Sequence, residues 1–66
     1  MNNRLLRLPE VSNLVGLKRS ALYALIKGNA FPRPVPLGDR CVAFVESEVR
    51  DWINHRIAQR DQKMAA

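Results

Sequence analysis

The 66-residue chain carries one cysteine, Cys41, and one histidine, His55. A lone cysteine closes no intramolecular disulfide, and one histidine beside it makes no Cys/His set for zinc, so no metal site is predicted. This cysteine usage is consistent with the cytoplasm. No apolar run approaches the roughly 20 residues of a membrane span. Met1 to Arg7 is polar and basic apart from Leu5 and Leu6, and lacks the apolar stretch of a secretory leader. Acids are scarce: 6 Asp+Glu stand against 11 Lys+Arg, for a formal charge of +5 and a pI near 10.4. A chain of this size buries only about 60% of its unfolded surface. It has no room for a deep enclosed cleft together with the scaffold that positions catalytic groups. That argues against an enzyme, and no cofactor is predicted. What is left is one small basic domain, and a basic balance points to a polyanion, most often nucleic acid.

Hydrophobic spacing organises the chain. Leu6 and Leu8 share a face of an extended stretch from Arg4 to Leu8, and Pro9 suits the first turn of a helix. From Pro9 to Val15 the apolar positions Val11, Leu14 and Val15 fall at i, i+3, i+4, and Gly16 stops the helix. A second helix runs from Lys18 to Lys27, with Leu22, Leu25 and Ile26 on one face and Arg19, Ser20, Tyr23 and Lys27 on the other. Gly28 and Asn29 end it. Two short helices joined by a glycine-bearing turn, with apolar faces that can meet, make a helix-turn-helix. Pro32, Pro34 and Pro36 hold the next segment extended. Val35-Leu37 and Cys41-Phe44 then read as a small hairpin turning at Gly38-Asp39, with the prolines suited to an edge strand. The last helix spans Glu46 to Gln59: Val49, Trp52, Ile53 and Ile57 repeat at helical spacing, Glu46 and Glu48 sit in the first turn, and Glu46 pairs with Arg50 at i,i+4. Trp52 is expected to anchor the core. The expectation is therefore a mainly α domain with a small β-hairpin, a winged helix-turn-helix in the order β-α-α-β-β-α. It occupies residues 4–60, and residues 61–66 form a disordered tail.

Several blocks together resemble a known family. Arg7-Leu8-Pro9-Glu10-Val11, Gly16-Leu17, Arg19-Ser20-Ala21-Leu22-Tyr23, Phe31-Pro32-Arg33-Pro34-Val35, Leu37-Gly38 and Glu46-Ser47-Glu48-Val49 with Trp52 look like the signature of AlpA-type phage and prophage regulators. That group resembles the wider excisionase-like and MerR-like winged helix domains. The resemblance implies a DNA-binding transcriptional regulator of a phage, prophage or integrated element, one that controls integrase or excision genes. Some positions depart from the pattern. Lys18 stands where such proteins often carry a serine that caps the second helix, Ala24 where a basic residue is frequent, and Pro36 and Cys41 where the hairpin is often basic.

In a helix-turn-helix the N-terminal part of the second helix enters the major groove. Arg19, Ser20 and Tyr23 are the candidate base readers, with Lys18 and Lys27 beside them. Arg33 and Arg40 flank the hairpin, where they would hold phosphates and fix the register. The bland alternative for each is a solvated charged face. Arg4 and Arg7 are weaker candidates. His55 reads as a solvated helix residue, Cys41 as a small buried strand residue, and Phe31, Phe44 and Trp52 as core rather than a base-stacking platform. Glu46 and Glu48 read as first-turn acids, because no cleft accompanies them. The expected partner is double-stranded DNA and the expected place the cytoplasm, on the nucleoid. One monomer on one half-site makes few base contacts, which predicts a homodimer or several copies on adjacent repeats. Two further roles fit the same residues: an excisionase-type architectural factor that directs an integrase, and an adaptor that binds RNA polymerase or an integrase without reading DNA.

Overall fold

The computed structural model describes residues 4–65. Strand β1 covers Leu5–Leu6, and helix α1 follows at Leu8–Val15. Pro9 lies in the first turn of α1, where its missing N–H costs nothing, and the Glu10 carboxylate accepts the backbone N–H of Arg7 at 3.3 Å. Gly16, at φ 72°, closes α1 in the left-handed conformation and donates its N–H to the Ser12 carbonyl at 2.8 Å. The Ser12 hydroxyl reaches across the turn to the Leu17 carbonyl and clamps it.

Helix α2 spans Arg19–Lys27. Its last turn is closed by Asn29, not by Gly28: Asn29 takes φ 59°, while Gly28 stays at φ −86°. The Asn29 and Ala30 N–H groups donate to the Ile26 and Leu25 carbonyls at 3.1 and 2.8 Å, the paired bonds of a Schellman motif. Asparagine accepts the left-handed region better than most residues with a Cβ.

Strands β2 (Val35–Pro36) and β3 (Val42–Val45) form the expected hairpin, and the sheet gains a third member, because β1 pairs antiparallel with the free edge of β3. The order is β1-β3-β2, with Leu5 opposite Val45, Leu6 opposite Phe44, Val35 opposite Ala43 and Pro36 opposite Val42. Strand β3 passes straight into helix α3, Glu46–Ala65. Three helices on a small antiparallel sheet, in the order β-α-α-β-β-α, match the plan expected from the sequence.

One core holds these elements. Leu6, Val11, Leu22, Phe31, Phe44 and Val49 are buried together, one each from β1, α1, α2, the segment after α2, β3 and α3. The Phe31 ring meets Phe44 edge-on at 5.8 Å and Trp52 at 4.9 Å. Arg4 reaches Glu10 and Glu46, and Arg50 reaches Glu46, all at 3.7 Å. The two Arg4 pairs tie the residue before β1 to the first turns of α1 and α3, the third lies within α3, and each is worth about 0–1 kcal/mol.

The structure corrects four details. Trp52 is half-buried at the rim of the core, which is centred on Phe44. The indole N–H needs an acceptor, and it finds the Ala30 carbonyl at 2.7 Å only at that edge. Cys41 is exposed, because its pairing with Leu37 at the mouth of the hairpin carries it past the end of the core. Leu14 and Ile57, expected on core-facing stripes, are 44% and 42% exposed. Helix α3 continues beyond Gln59 to Ala65, since Arg60, Gln62 and Lys63 are good helix formers and no glycine or proline interrupts them. The helix overhang lengthens the molecule to 47 × 30 × 20 Å, with a radius of gyration of 13.0 Å. About 11 Å would suit a compact chain of this length. No helix among the described residues is long and apolar enough to cross a membrane.

Leu22 fixes α2 on the core and Arg19 does not touch it. Leu22→Ala is expected to cost about 2–5 kcal/mol and Arg19→Ala less than about 0.5 kcal/mol, as read from urea unfolding.

Candidate nucleic-acid interface

Helix α2 buries Leu22, half-buries Leu25 and Ile26 against the core, and turns its opposite face outward. Lys18, Arg19, Ser20, Tyr23 and Lys27 are all exposed on or beside that face. Arg19, Tyr23 and Lys27 follow one another at four-residue spacing, so they form a stripe about 12 Å long at 1.5 Å per residue. This length is close to the width of the B-DNA major groove, about 12 Å. Within the stripe the Arg19 guanidinium lies over the Tyr23 ring at 5.5 Å from its centroid. Such a contact orients the guanidinium before any ligand arrives.

The start of α2 is electrostatically unusual. Lys18 occupies the cap position in an extended conformation, φ −76° and ψ 163°, and its side chain makes no capping bond. Two cations, Lys18 and Arg19, thus stand at the positive end of the helix dipole, an arrangement that costs stability unless an anion joins them. Among the described residues no carboxylate forms an ion pair with either. Between Glu10 and Asp39 the chain has no acidic residue, while Lys18, Arg19, Lys27 and Arg33 all lie in that interval. This acid-free interval is legible in the sequence and marks the face more sharply than the overall charge does.

The remaining candidates are placed apart from α2. Arg33 is exposed on the extended stretch between buried Phe31 and β2, held stiffly by Pro32 and Pro34. Arg40 is exposed in the turn Gly38-Asp39-Arg40 at the tip of the hairpin. Neither makes an ion pair or side-chain hydrogen bond among the described residues, so both guanidiniums are open to a ligand. Arg4 is engaged by Glu10 and Glu46, and Arg7 is exposed at the start of α1. His55 is exposed on α3. Among the described residues no three His, Cys, Asp or Glu side chains gather to hold a metal. Two features escaped the sequence reading. The Ser12 clamp that fixes the turn has no residue signal beyond a serine near a glycine. The stacking of Arg56 on Trp52, at 5.2 Å from the ring centroid, is marked by their four-residue spacing.

Residues 4–57 match the family model described as prophage CP4-57 regulatory protein (AlpA). An uncharacterized protein, ORF88, of Enterobacteria phage P4 is 51% identical over 57 residues, covering 86% of this chain and 65% of its own length. The DNA-binding transcriptional activator AlpA of Escherichia coli (strain K12) is 32% identical over 66 residues, with 85% of this chain and 94% of that protein covered. This chain therefore spans a little less than two thirds of the phage P4 protein. No solved structure matches.

Lys18 meets the geometry of a cap without the chemistry of one. Lys18→Ser is expected to raise stability by about 0.5–1 kcal/mol in thermal unfolding, because serine accepts an orphan N–H of the first turn.

Proposed function

The chain belongs to the AlpA family of prophage regulatory proteins, and from that premise we propose that it is a sequence-specific regulator of transcription that binds double-stranded DNA. Its 4–60 segment acts as one DNA-binding domain, with α2 in the major groove and the hairpin beside it as a wing. The observation that carries the reading is the outward stripe of α2. Arg19, Tyr23 and Lys27 line up along one groove-width on a helix seated by Leu22, within a part of the chain that has no acid. The name of the E. coli relative, a DNA-binding transcriptional activator, supports the same role.

Each residue has a distinct task in this reading. Arg19, held over Tyr23, forks onto the O6 and N7 atoms of a guanine, a contact worth about 1–3 kcal/mol of discrimination. Ser20 donates to a base edge or phosphate, and Tyr23 packs on a thymine methyl or reaches a phosphate oxygen. Lys18 supplies charge at the helix start and Lys27 at its end. Arg33 and Arg40 bind phosphates on either side and fix the register without reading sequence. One domain of this kind reads a short half-site, so two or more copies occupy repeated or palindromic sites.

Selection of bound duplexes from a random pool at about 150 mM salt tests the reading. One motif should be enriched, and Arg19→Ala/Tyr23→Ala should lose it. With about six phosphates neutralised, log affinity should fall against log salt with a slope near −5. Arg33→Ala and Arg40→Ala should each weaken all duplexes alike and flatten that slope by about 1. No enriched motif together with a slope near zero would overturn the proposal.

A further inference from the structure

The overhanging half of α3 and the end of α1 enclose a groove that the DNA-reading face does not use. Val15, Trp52 and Ile53 form its floor, and Leu14 and Ile57 stand along it with over two fifths of their surface open. Arg56, Arg60 and Lys63 provide its charged rim, and no carboxylate-bearing residue lines it. Arg60 is partly spoken for by Asp61, which it holds at 2.9 Å, and the Arg56 guanidinium stacks over the Trp52 ring. The groove therefore combines apolar anchoring positions with a net positive border.

We infer that this groove docks an acidic amphipathic helix of a protein partner. Two arguments select that occupant. First, the groove is lined by α3 from Trp52 to Lys63 and, at one end, by Leu14 and Val15 of α1, and from Ile53 to Lys63 the open side of α3 runs about 15 Å, room for roughly three turns of another helix. Second, the rim demands negative charge. A second copy of this chain docking by the same face would set Arg56, Arg60 and Lys63 against their own equivalents, whereas glutamates flanking a leucine stripe would meet them with opposite sign. Nucleic acid fits poorly here, because phosphates gain nothing from Leu14, Ile53 and Ile57. The inference adds a second, independent surface to the DNA-binding reading and does not rest on it.

Trp52, the single tryptophan, lies in the groove and reports its occupancy. The probe is a synthetic helical peptide of about 15 residues, with leucines at i, i+3, i+4, i+7 and glutamates on both flanks. Its control carries the same leucines flanked by lysines. In a titration of the full chain without DNA, the glutamate peptide should shift the Trp52 emission and bind at least about tenfold more tightly than the lysine peptide. Arg56→Glu/Lys63→Glu should invert that preference. Ile57→Asp, an exposed substitution, should abolish glutamate-peptide binding while leaving thermal stability and duplex affinity within about twofold of the parent. Equal binding of the two peptides, or binding of neither, would overturn the inference. So would sedimentation showing the chain to be a dimer that Ile57→Asp dissociates, since the groove would then belong to a second copy.

Discussion

The structure depends on one strand. Phe44 and Ala43 are consecutive residues of β3, so their side chains point to opposite faces, and both are buried. Both edges of β3 are also occupied, by β1 on one side and β2 on the other. A chain of this size has only one core, and β3 runs through it. The strand feeds α3 without a linker, so the direction of the long helix follows from the sheet. Through Phe44 the cluster extends to Phe31, which follows α2, and to Leu22, which seats α2. The aim of the outward face of α2 is thus fixed by packing on its inner side.

Much of this was legible in the sequence. Period-3.6 stripes, Val11/Leu14/Val15, Leu22/Leu25/Ile26 and Val49/Trp52/Ile53/Ile57, located the three helices, and alternate prolines located the edge strand. Misjudgements came where a local pattern lacked knowledge of what covers it. Ile57 continues its stripe past the end of the core, while Leu14 stays exposed although Val11 and Val15 on either side of it pack on the core. Trp52 has the size of an anchor, yet its N–H obliges it to stand where a carbonyl is free. Cys41 belongs to a β-rich run whose register places it beyond the sheet's covered part. The pairing of β1 with β3 joins residues about forty positions apart, and no short-range signal announces a long-range ladder of two residues. For the interface, residue types and the face they share could be read from spacing. The Arg19–Tyr23 stacking and the open condition of Arg33 and Arg40 needed coordinates.

Charge is sorted along the chain in a way that composition conceals. Glu10 and Glu46 are engaged by Arg4 and Arg50 at the first turns of α1 and α3, where helix dipoles also favour carboxylates. Lys18 and Arg19 make no such pair among the described residues and sit at the positive end of the α2 dipole, whereas Lys27 lies in its last turn. A fold optimised only for stability would place a serine or aspartate at position 18. Retaining lysine there sacrifices about 1 kcal/mol of capping, a sacrifice that makes sense where an external anion completes the site.

The two surfaces also differ in how firmly they are held. Helix α2 is nine residues long, too short to persist alone in water, but it is bound at both ends. The Ser12 clamp and Gly16 set its entry, the Schellman pair at Asn29 and Ala30 sets its exit, and Leu22 pins its middle. Its outward side chains are therefore presented in one geometry. The outer turns of α3 rest on no buried side chain beyond Val49, and half-buried Ile53 is the last that packs against the core. Past that point helix propensity alone holds the backbone, and isolated helical turns open at low cost. A firmly seated α2 and a loosely packed end of α3 thus follow from one distribution of apolar residues: dense around β3, and spent before α3 ends.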